Sequence, residues 1–341
     1  MRHTYIPLID VAPAAPILGT VVQSLQGQTM GTTWSVKLVT RAGQTLTAVR
    51  TAIEQQLALV IEQMSTWERE SDLSRYNRAP AGSWHALPDA FFDVLDCALQ
   101  VARESNGAYD PSAGMLVNLW GFGPTNRYDE PGFQPPSDEQ VEQARALCGW
   151  QRLQLDRAEK RVQQPGGLTL DFSAIAKGYA VDLVVRTLTA LRIENFLVEI
   201  GGELRGIGIR PDGQPWWVAI EQPPAQTDDH AATTDEHLLA LYGCAVATSG
   251  DYRRSFTRGT TRYAHTIDPR SGRPLQHHLA SVTVIHRDCM LADAWSTALG
   301  VMGCEEGLAC ADKLGIAALF LSRENHALHA MTSTAMKAML Q

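Results

Sequence analysis

The chain has 341 residues, of which 45% are hydrophobic and 19% are charged, and its formal net charge is −8 at pH 7. This composition is typical of a globular protein that buries a sizeable core, as one large domain or two closely joined ones. Because the net charge is negative, the chain has no overall positive charge to attract a polyanion, and we do not expect a nucleic-acid-binding protein. The six cysteines form no CxxC pair and no zinc-site spacing with histidines, and we expect reduced thiols rather than disulfides.

Residues 1–25 are predicted to form an irregular N-terminal arm. Three prolines and one aspartate interrupt its apolar stretch, so it makes a poor secretory leader. No window of the chain approaches the length of a membrane-spanning helix. We therefore expect a cytoplasmic protein without a membrane span. A periplasmic, membrane-associated protein is the alternative if a leader has been removed from the sequence.

The first regular elements after the arm are predicted as a strand and an amphipathic helix. Residues 28–38 alternate and are rich in Thr and Val, and Met30 lies at the mouth of this strand, as a core side chain or as a ligand contact. Apolar residues at helical spacing predict a helix over 47–64. It leads into a polar loop, where Trp67 is better suited to covering a flat ligand than to a core position. Ser71 in the same loop is predicted to be a helix cap.

The next part of the chain is predicted as two helices separated by loops. The helices cover residues 87–105 and 137–148. Between them, the Gly and Pro content of residues 107–114 indicates a loop in which Asp110, before a proline, is extended. Residues 118–135 are rich in Gly, Pro and aromatic side chains, which is typical of a surface loop that covers a site.

The stretch 170–182, LDFSAIAKGYAVD, has the most site-like composition. A strand is predicted to end at Asp171, and small side chains surround Lys177 before a helix over 179–191. Small residues between a strand and a helix let a ligand approach the backbone closely. Lys177 offers a cation for phosphate and Asp171 a carboxylate for a hydroxyl or ring nitrogen. Alternatively, Asp171 or Ser173 is simply the N-cap of the helix.

The remaining elements are predicted as strands and two further helices without a regular βαβ repeat, which favours an α+β fold. The predicted strands include residues 195–208, 238–248, 262–267 and 281–290. The first of these is interrupted by two glycines with Glu199 and Glu203 on either side, where a bulge or a close ligand approach is expected. Residues 223–237 are predicted to be a mobile polar insertion.

Asp293 and Thr297 are four residues apart in a predicted helix that begins at about residue 291. Both therefore lie on one helical face, with Ser296 beside them. A carboxylate with a hydroxyl and a backbone carbonyl is a hard-oxygen set that suits Mg²⁺. The alternative interpretation is a helix cap followed by a packing face of small residues.

Eight segments of the sequence resemble, in order, those of the FAD:protein FMN transferases, the ApbE family. They are GQTMGTTWSVKL, MSTWERESDLSRYN, GAYDPSAG, LDFSAIAKGYAVD, VEIGGELRGIG, ATSGDY, YAHTIDPRSGRPL and MLADAWSTAL. The resemblance implies an α+β fold with a mixed-sheet core and packed helices, in a T-fold-like architecture. It also implies that residues 26–341 are a single domain.

The resemblance implies Mg²⁺-dependent transfer of FMN from FAD to a Thr or Ser hydroxyl of a target protein. The product is a phosphoester-linked FMN, and AMP is released. FAD and a target protein are therefore the expected partners. The alternative is a protein that binds FAD, or hydrolyses it to FMN and AMP, without modifying a target.

The same resemblance implies a role for each candidate site residue. His265, in the segment YAHTIDPRSG, is the candidate base, and the ordinary pKa of histidine near 6.5 suits that role at neutral pH. The metal site is implied to comprise the carbonyl of Ala174 with Asp293, Ser296 and Thr297. The implied FAD contacts are Met30, Trp67, Ala108, Tyr109, Asp110, Asp171, Lys177 and Ile267.

Overall fold

The computed structural model describes residues 2–7, 18–223, 235–324 and 327–341. The helices of these residues are α1 (Thr47–Met64), α2 (Asp72–Asn77), α3 (Asp89–Glu104), α4 (Gly114–Leu119), α5 (Asp138–Leu147), α6 (Ala176–Ala190), α7 (Cys289–Leu314) and α8 (Thr334–Lys337). The strands are β1 (Arg2–Tyr5), β2 (Thr20–Thr29), β3 (Thr32–Arg41), β4 (Trp84–Ala86), β5 (Gln154–Asp156), β6 (Arg161–Gln163), β7 (Phe196–Ile200), β8 (Glu203–Ile207), β9 (Trp216–Ala219), β10 (Glu236–Leu241), β11 (Cys244–Gly250), β12 (Ser255–Arg258), β13 (Thr261–Ala264), β14 (Ile267–Asp268), β15 (Arg273–Pro274), β16 (Leu279–His286), β17 (Ala317–Glu324) and β18 (Ala327–Thr332). Within the described ranges, no helix is both long and apolar enough to cross a membrane.

An eight-stranded sheet with the order β18-β17-β16-β11-β8-β7-β3-β2 is the centre of the fold. Every neighbouring pair in it is antiparallel. Successive side chains of a strand point to opposite faces, so Phe196 and Val198 join the main core while Leu197 joins a second core. Helices α1, α3, α6 and α7 contribute to the main core. The predicted α+β fold is therefore confirmed, with a large antiparallel sheet.

A second, three-stranded sheet has the order β1-β10-β9, and β1 is parallel to β10. The prediction of an irregular arm is therefore wrong at Arg2–Tyr5, and also from Thr20 onward, where β2 begins. Tyr5 is buried and stacks on His237, which local patterns do not reveal because the two are 232 residues apart. The rest of the predicted arm, 8–17, and most of the predicted insertion, 224–234, lie outside the described residues.

Helices α6 and α7 cap each other where their N-terminal parts cross. The Gly178 backbone N–H donates to Asp293 Oδ2 at 3.0 Å, and the Cys289 and Met290 N–H groups donate to the Asp182 carboxylate. A Cβ at Gly178 would lie 2.4 Å from the Cys289 carbonyl oxygen, so the crossing requires glycine. Backbone N–H groups that have no acceptor within their own helix are therefore bound by carboxylates at the start of both helices. The negative charge of these carboxylates also complements the helix dipoles.

Helix α6 begins at Ala176, three residues earlier than predicted. Its N-cap is Ile175, which makes no side-chain cap, so the N-cap alternative for Asp171 and Ser173 is wrong. The strand predicted to end at Asp171 is also absent, since only an isolated bridge joins Thr169 to Ala113. The cap of α6 comes instead from Asp293, which the local sequence pattern does not reveal.

Two tight hairpins of the main sheet lie side by side next to α6. The β2–β3 turn has positive φ at Met30 (48°) and Gly31 (71°), as a type I′ turn requires. The β7–β8 turn contains Gly201, whose N–H donates to the Thr33 carbonyl at 3.0 Å. A Cβ at Gly201 would lie 3.3 Å from Cδ of Lys177. The predicted turn at Lys177 therefore lies at the hairpin end of the sheet.

Candidate active site

Lys177 lies in the first turn of α6 and pairs with Glu203 at the start of β8. Burial raises the pKa of Glu203 to about 7, against the lowering effect of Lys177. Burial also acts to lower the pKa of Lys177, but the charges of Asp293 and Glu203 outweigh it and the net shift is upward. Glu203 Oε2 has no hydrogen-bond partner in the part of the chain that the structure describes. Lys177 is thus a firmly held ammonium group, with 27% of its side chain exposed to meet an anion.

Asp293 is buried in the first turns of α7 and accepts a hydrogen bond from the Gly178 N–H of α6. Gly178 is the third residue of α6, so its N–H is one of the donors that a helix start leaves without an intrahelical acceptor. Ala174 lies just before the N-cap Ile175, and its carbonyl accepts no backbone hydrogen bond from the described residues. A carboxylate and an unused carbonyl oxygen therefore belong to one small region, and such oxygens fit Mg²⁺.

The hydroxyl groups near Asp293 are joined by a side chain that sequence analysis missed, Ser249 of β11. Its Oγ lies 2.9 Å from Ser296 Oγ and 2.8 Å from Thr297 Oγ1. Ser296 is fully buried and donates to the Asp293 carbonyl at 2.8 Å. This bonding argues against the predicted role of Ser296 as a metal ligand. Thr297 is half-buried, and Ser249 is its hydrogen-bond partner.

Among the described residues, no group of three or more His, Cys, Asp or Glu side chains is arranged to hold a metal ion. A cation near Asp293 would therefore be held by one carboxylate together with hydroxyl, carbonyl and water oxygens. That is the donor set that Mg²⁺ accepts, since it keeps several waters when it binds to proteins. The residues present fit Mg²⁺ in this respect.

His265 follows β13, and its ring is half-buried. Its Nδ1 and its backbone nitrogen both lie 3.1 Å from the carbonyl oxygen of Arg254. A carbonyl can only accept, so Nδ1 carries the proton and the lone pair of the neutral ring is on Nε2. Burial lowers the pKa of His265 to about 4, and the charges of Arg254, Arg253 and Lys177 act in the same direction. The ordinary pKa near 6.5 that we expected therefore does not hold.

An aromatic cluster lies beside His265. Phe122, from the predicted covering loop 118–135, is 6.3 Å from the His265 ring, centroid to centroid, in an edge-on arrangement. The same loop packs on Phe256 of β12, and Ile267 is buried in this cluster. The loop therefore forms a wall next to the histidine, and Ile267 supports that wall as a buried side chain.

Trp67 remains open to solvent, with 49% of its surface exposed. Two guanidinium groups flank its ring, from Arg127 at 5.7 Å and from Arg254 at 6.0 Å to the ring centroid. Arg254 also contributes the carbonyl that binds His265. Trp67 is thereby connected to the histidine region through one residue, and it is not part of the core. Ser71 caps α2 as predicted, by accepting from the Ser74 N–H.

The predicted contact loop 107–114 lies against the turn that begins at Asp171. The Asp171 N–H donates to the Pro111 carbonyl at 2.8 Å, so the two segments are neighbours. Asp110 accepts from Ser112 through one oxygen and from the Trp150 N–H through the other. One oxygen is therefore used within the loop and the other connects the loop to Trp150, which is a structural role that the sequence did not indicate.

The other members of this loop and turn are distributed between core and surface. Ala108 and Tyr109 are buried, and the Tyr109 hydroxyl has no partner within the described residues. Asp171 is half-buried and accepts from the Ser173 N–H at 2.7 Å. Met30 is half-buried and packs against the main core. Hydrogen bonds thus connect Asp293, Ser296, Ser249 and Thr297, and Lys177 lies next to Gly178, which binds Asp293.

The chain is similar in sequence to the proteins of one known family. The model of the ApbE family matches residues 30–320 of the chain. The chain belongs to the ApbE family. The FAD:protein FMN transferase of Vibrio cholerae is 38% identical over 317 residues, which cover 93% of this chain and 92% of that protein. The Haemophilus influenzae protein of the same name is 37% identical over 328 residues, with 94% and 92% covered.

Solved structures of ApbE proteins share the fold of this chain. The flavinyl transferase ApbE of Pseudomonas stutzeri, in its apo form, has a TM-score of 0.84 and 41% sequence identity, with 94% of this chain and 97% of that chain covered. The flavin transferase ApbE of Vibrio cholerae also has a TM-score of 0.84, with 36% identity and 94% and 99% covered. The predicted membership of the ApbE family is therefore confirmed.

Proposed function

We propose that this ApbE-family chain transfers FMN from FAD to a Thr or Ser hydroxyl of a target protein. The observation that carries the proposal is that the charge of Lys177 interacts with both Asp293 and His265. An ammonium group, the oxygen set of Asp293, Thr297 and Ala174, and a neutral histidine are therefore available for one reaction. The names of the relatives, FAD:protein FMN transferase, support the same reaction.

In this reaction the target hydroxyl attacks the phosphorus on the FMN side of the FAD diphosphate. A bond forms between the hydroxyl oxygen and that phosphorus, and the bond from phosphorus to the bridging oxygen breaks. FMN remains on the target as a phosphoester and AMP leaves with the bridging oxygen. Catalysis of such a transfer consists mainly of positioning and charge stabilisation, which the residues of this site can provide.

The proposed cation ligands are the Asp293 carboxylate, the Thr297 hydroxyl and the Ala174 carbonyl. When bound there, Mg²⁺ would neutralise charge on the diphosphate and on the transferring phosphoryl group. The Ala174 carbonyl supports this assignment, because it accepts no backbone hydrogen bond from the described residues and so has lone pairs free to bind a cation.

Lys177 is proposed to bind a phosphate oxygen of FAD. Its ammonium is held by Glu203, and that pairing fixes the position of the charge before the substrate arrives. Preorganised charges of this kind need no rearrangement during the reaction. The other predicted FAD contacts, Met30, Trp67, Ala108–Asp110, Asp171 and Ile267, remain proposals for the flavin and adenosine ends of the substrate.

The Nε2 atom of His265 is proposed to accept the proton of the attacking hydroxyl. The Arg254 carbonyl holds the Nδ1 proton and so keeps Nε2 free to accept. The low pKa of His265 keeps the ring neutral at physiological pH. The proton then leaves through the imidazole while the phosphoester forms, as in general-base catalysis.

The test is to incubate the protein with FAD, MgCl₂ and a candidate acceptor protein. We expect flavin fluorescence that stays with the acceptor after denaturation, an acceptor mass increased by one FMN less one water, and equimolar AMP. An acceptor whose modified Thr is replaced by Ala serves as the matched control. Free FMN and AMP with no labelled acceptor would instead favour FAD hydrolysis and contradict the proposal.

A further inference from the structure

Three hydroxyl groups connect β11 to α7 beside the proposed cation ligands. Ser249 Oγ lies 2.8 Å from Thr297 Oγ1 and 2.9 Å from Ser296 Oγ. Ser296 Oγ in turn lies 2.8 Å from the carbonyl oxygen of Asp293. These are three contacts at hydrogen-bond distance, and the three hydroxyls have three protons in total.

The direction of every bond follows from this count. The Asp293 carbonyl can only accept, so the Ser296 proton is committed to it. The contact between Ser249 and Ser296 then needs the Ser249 proton, and the contact between Ser249 and Thr297 needs the Thr297 proton. With Ser249 donating to Thr297 instead, two oxygens would face each other at 2.9 Å without a proton between them.

The resulting relay leads from Thr297 through Ser249 and Ser296 to the Asp293 carbonyl. Its consequence is that the Thr297 proton is directed at Ser249. A neutral hydroxyl binds a cation through an oxygen lone pair, and its proton must point away from the ion. Ser296 is fully buried, so water does not compete for its bonds.

We propose that Ser249 is a positioning residue for the cation site, because it accepts the Thr297 proton and thereby presents the Thr297 lone pairs to a divalent cation. Ser249 acts through Thr297 and does not itself touch the ion. The inference rests on the proposed function, since it concerns the ion that Asp293 and Thr297 would hold. Partners that orient metal ligands in this way are known to affect metal affinity strongly.

The test measures Mn²⁺ binding, by the electron paramagnetic resonance signal of the free ion, without acceptor and both with and without FAD. We expect Ser249→Ala to weaken Mn²⁺ binding by roughly tenfold or more. Ser249 and Thr297 line a small pocket, and water can enter the space that Ser249→Ala leaves. Ser249→Cys fills that space with a thiol, which is a weaker acceptor, and we expect it to weaken binding as well.

Two further variants serve as graded controls. Ser296→Ala removes the acceptor of the Ser249 proton, so either Ser249 or Thr297 can then donate the hydrogen bond between them. We therefore expect a smaller loss of Mn²⁺ affinity than in Ser249→Ala. Thr248→Val removes a buried hydroxyl bond of 2.8 Å to Thr283 from the neighbouring position of the same strand. Because that bond is not part of the relay, we expect Mn²⁺ affinity to stay within about twofold of wild type.

Wild-type affinity in both Ser249 variants, with a large loss in Thr297→Ala, would overturn the relay while leaving the cation site intact. Equal losses in Ser249→Ala and Thr248→Val would also overturn it, because the effect would then be one of general stability. Mn²⁺ binding that is unaffected by Thr297→Ala would overturn the relay together with the cation site. Labelling of an acceptor with FMN tests the proposed function separately from all three results.

Discussion

The pH dependence of kcat/KM tests the environment of His265. With a pKa of about 4 for His265, the imidazole is neutral in about 97% of the free enzyme at about pH 5.5. With the ordinary pKa of about 6.5, it would be neutral in only about 9% of the free enzyme at that pH. We therefore expect kcat/KM to be nearly the same at about pH 5.5 and about pH 7.5, where an unperturbed histidine would give a loss of about tenfold.

The assay is FMN transfer at limiting FAD between about pH 4.5 and pH 8, because kcat/KM reports the ionisations of the free enzyme. The folded-state pKa of His265 lies below the unfolded value, so the unfolded chain binds more protons as pH falls below about 6.5, and stability decreases toward pH 4. Circular dichroism at each pH distinguishes a loss of activity caused by unfolding from one caused by protonation of His265. A tenfold fall in kcat/KM by about pH 5.5 in a folded protein would refute the reasoning.

Three substitutions test the remaining parts of the site and its frame. Asp293→Asn keeps an acceptor for the Gly178 N–H and removes the charge, so we expect little change in Tm but loss of most Mg²⁺-dependent transfer; unchanged activity at limiting Mg²⁺ would contradict the metal assignment. Lys177→Ala should raise KM for FAD more than it lowers kcat, because this ammonium pairs with the ground state as well; a large fall in kcat with KM unchanged would contradict it. Gly178→Ala should cost roughly 1–3 kcal/mol of unfolding free energy, because its Cβ would lie 2.4 Å from the Cys289 carbonyl oxygen; an unchanged denaturation midpoint would argue against the close crossing.

Local sequence patterns predicted the parts of this protein that depend on local spacing. The amphipathic pattern of α1 and the four-residue spacing of Asp293 and Thr297 in α7 both follow from helical periodicity. The strand β1 was missed, because the pairing that stabilises it comes from β10, more than 200 residues later. The α+β class was correct because it follows from the order of the predicted helices and strands along the chain.

The sequence motifs supplied the candidate site residues, but the contacts of these residues could not be predicted from the sequence. Ser249 is 48 residues from Thr297, and only the packing of β11 against α7 brings their hydroxyls together. Glu203 was seen beside the paired glycines, but its pairing with Lys177 depends on the β7–β8 hairpin lying next to α6. The tautomer and low pKa of His265 depend on the Arg254 carbonyl and on burial, neither of which is encoded in a local motif.

The measurement that tests the central claim most directly separates FAD binding from FMN transfer in His265→Ala. Among the described residues, His265 makes no hydrogen bond to the proposed cation ligands or to Lys177, so we expect the Kd for FAD, titrated in MgCl₂ by flavin fluorescence, to stay near wild type. Transfer to the acceptor should fall by roughly 10²-fold to 10⁴-fold, the usual contribution of a general base. Transfer at a near wild-type rate by His265→Ala would show that the proton leaves by another route, and it would contradict the proposed mechanism.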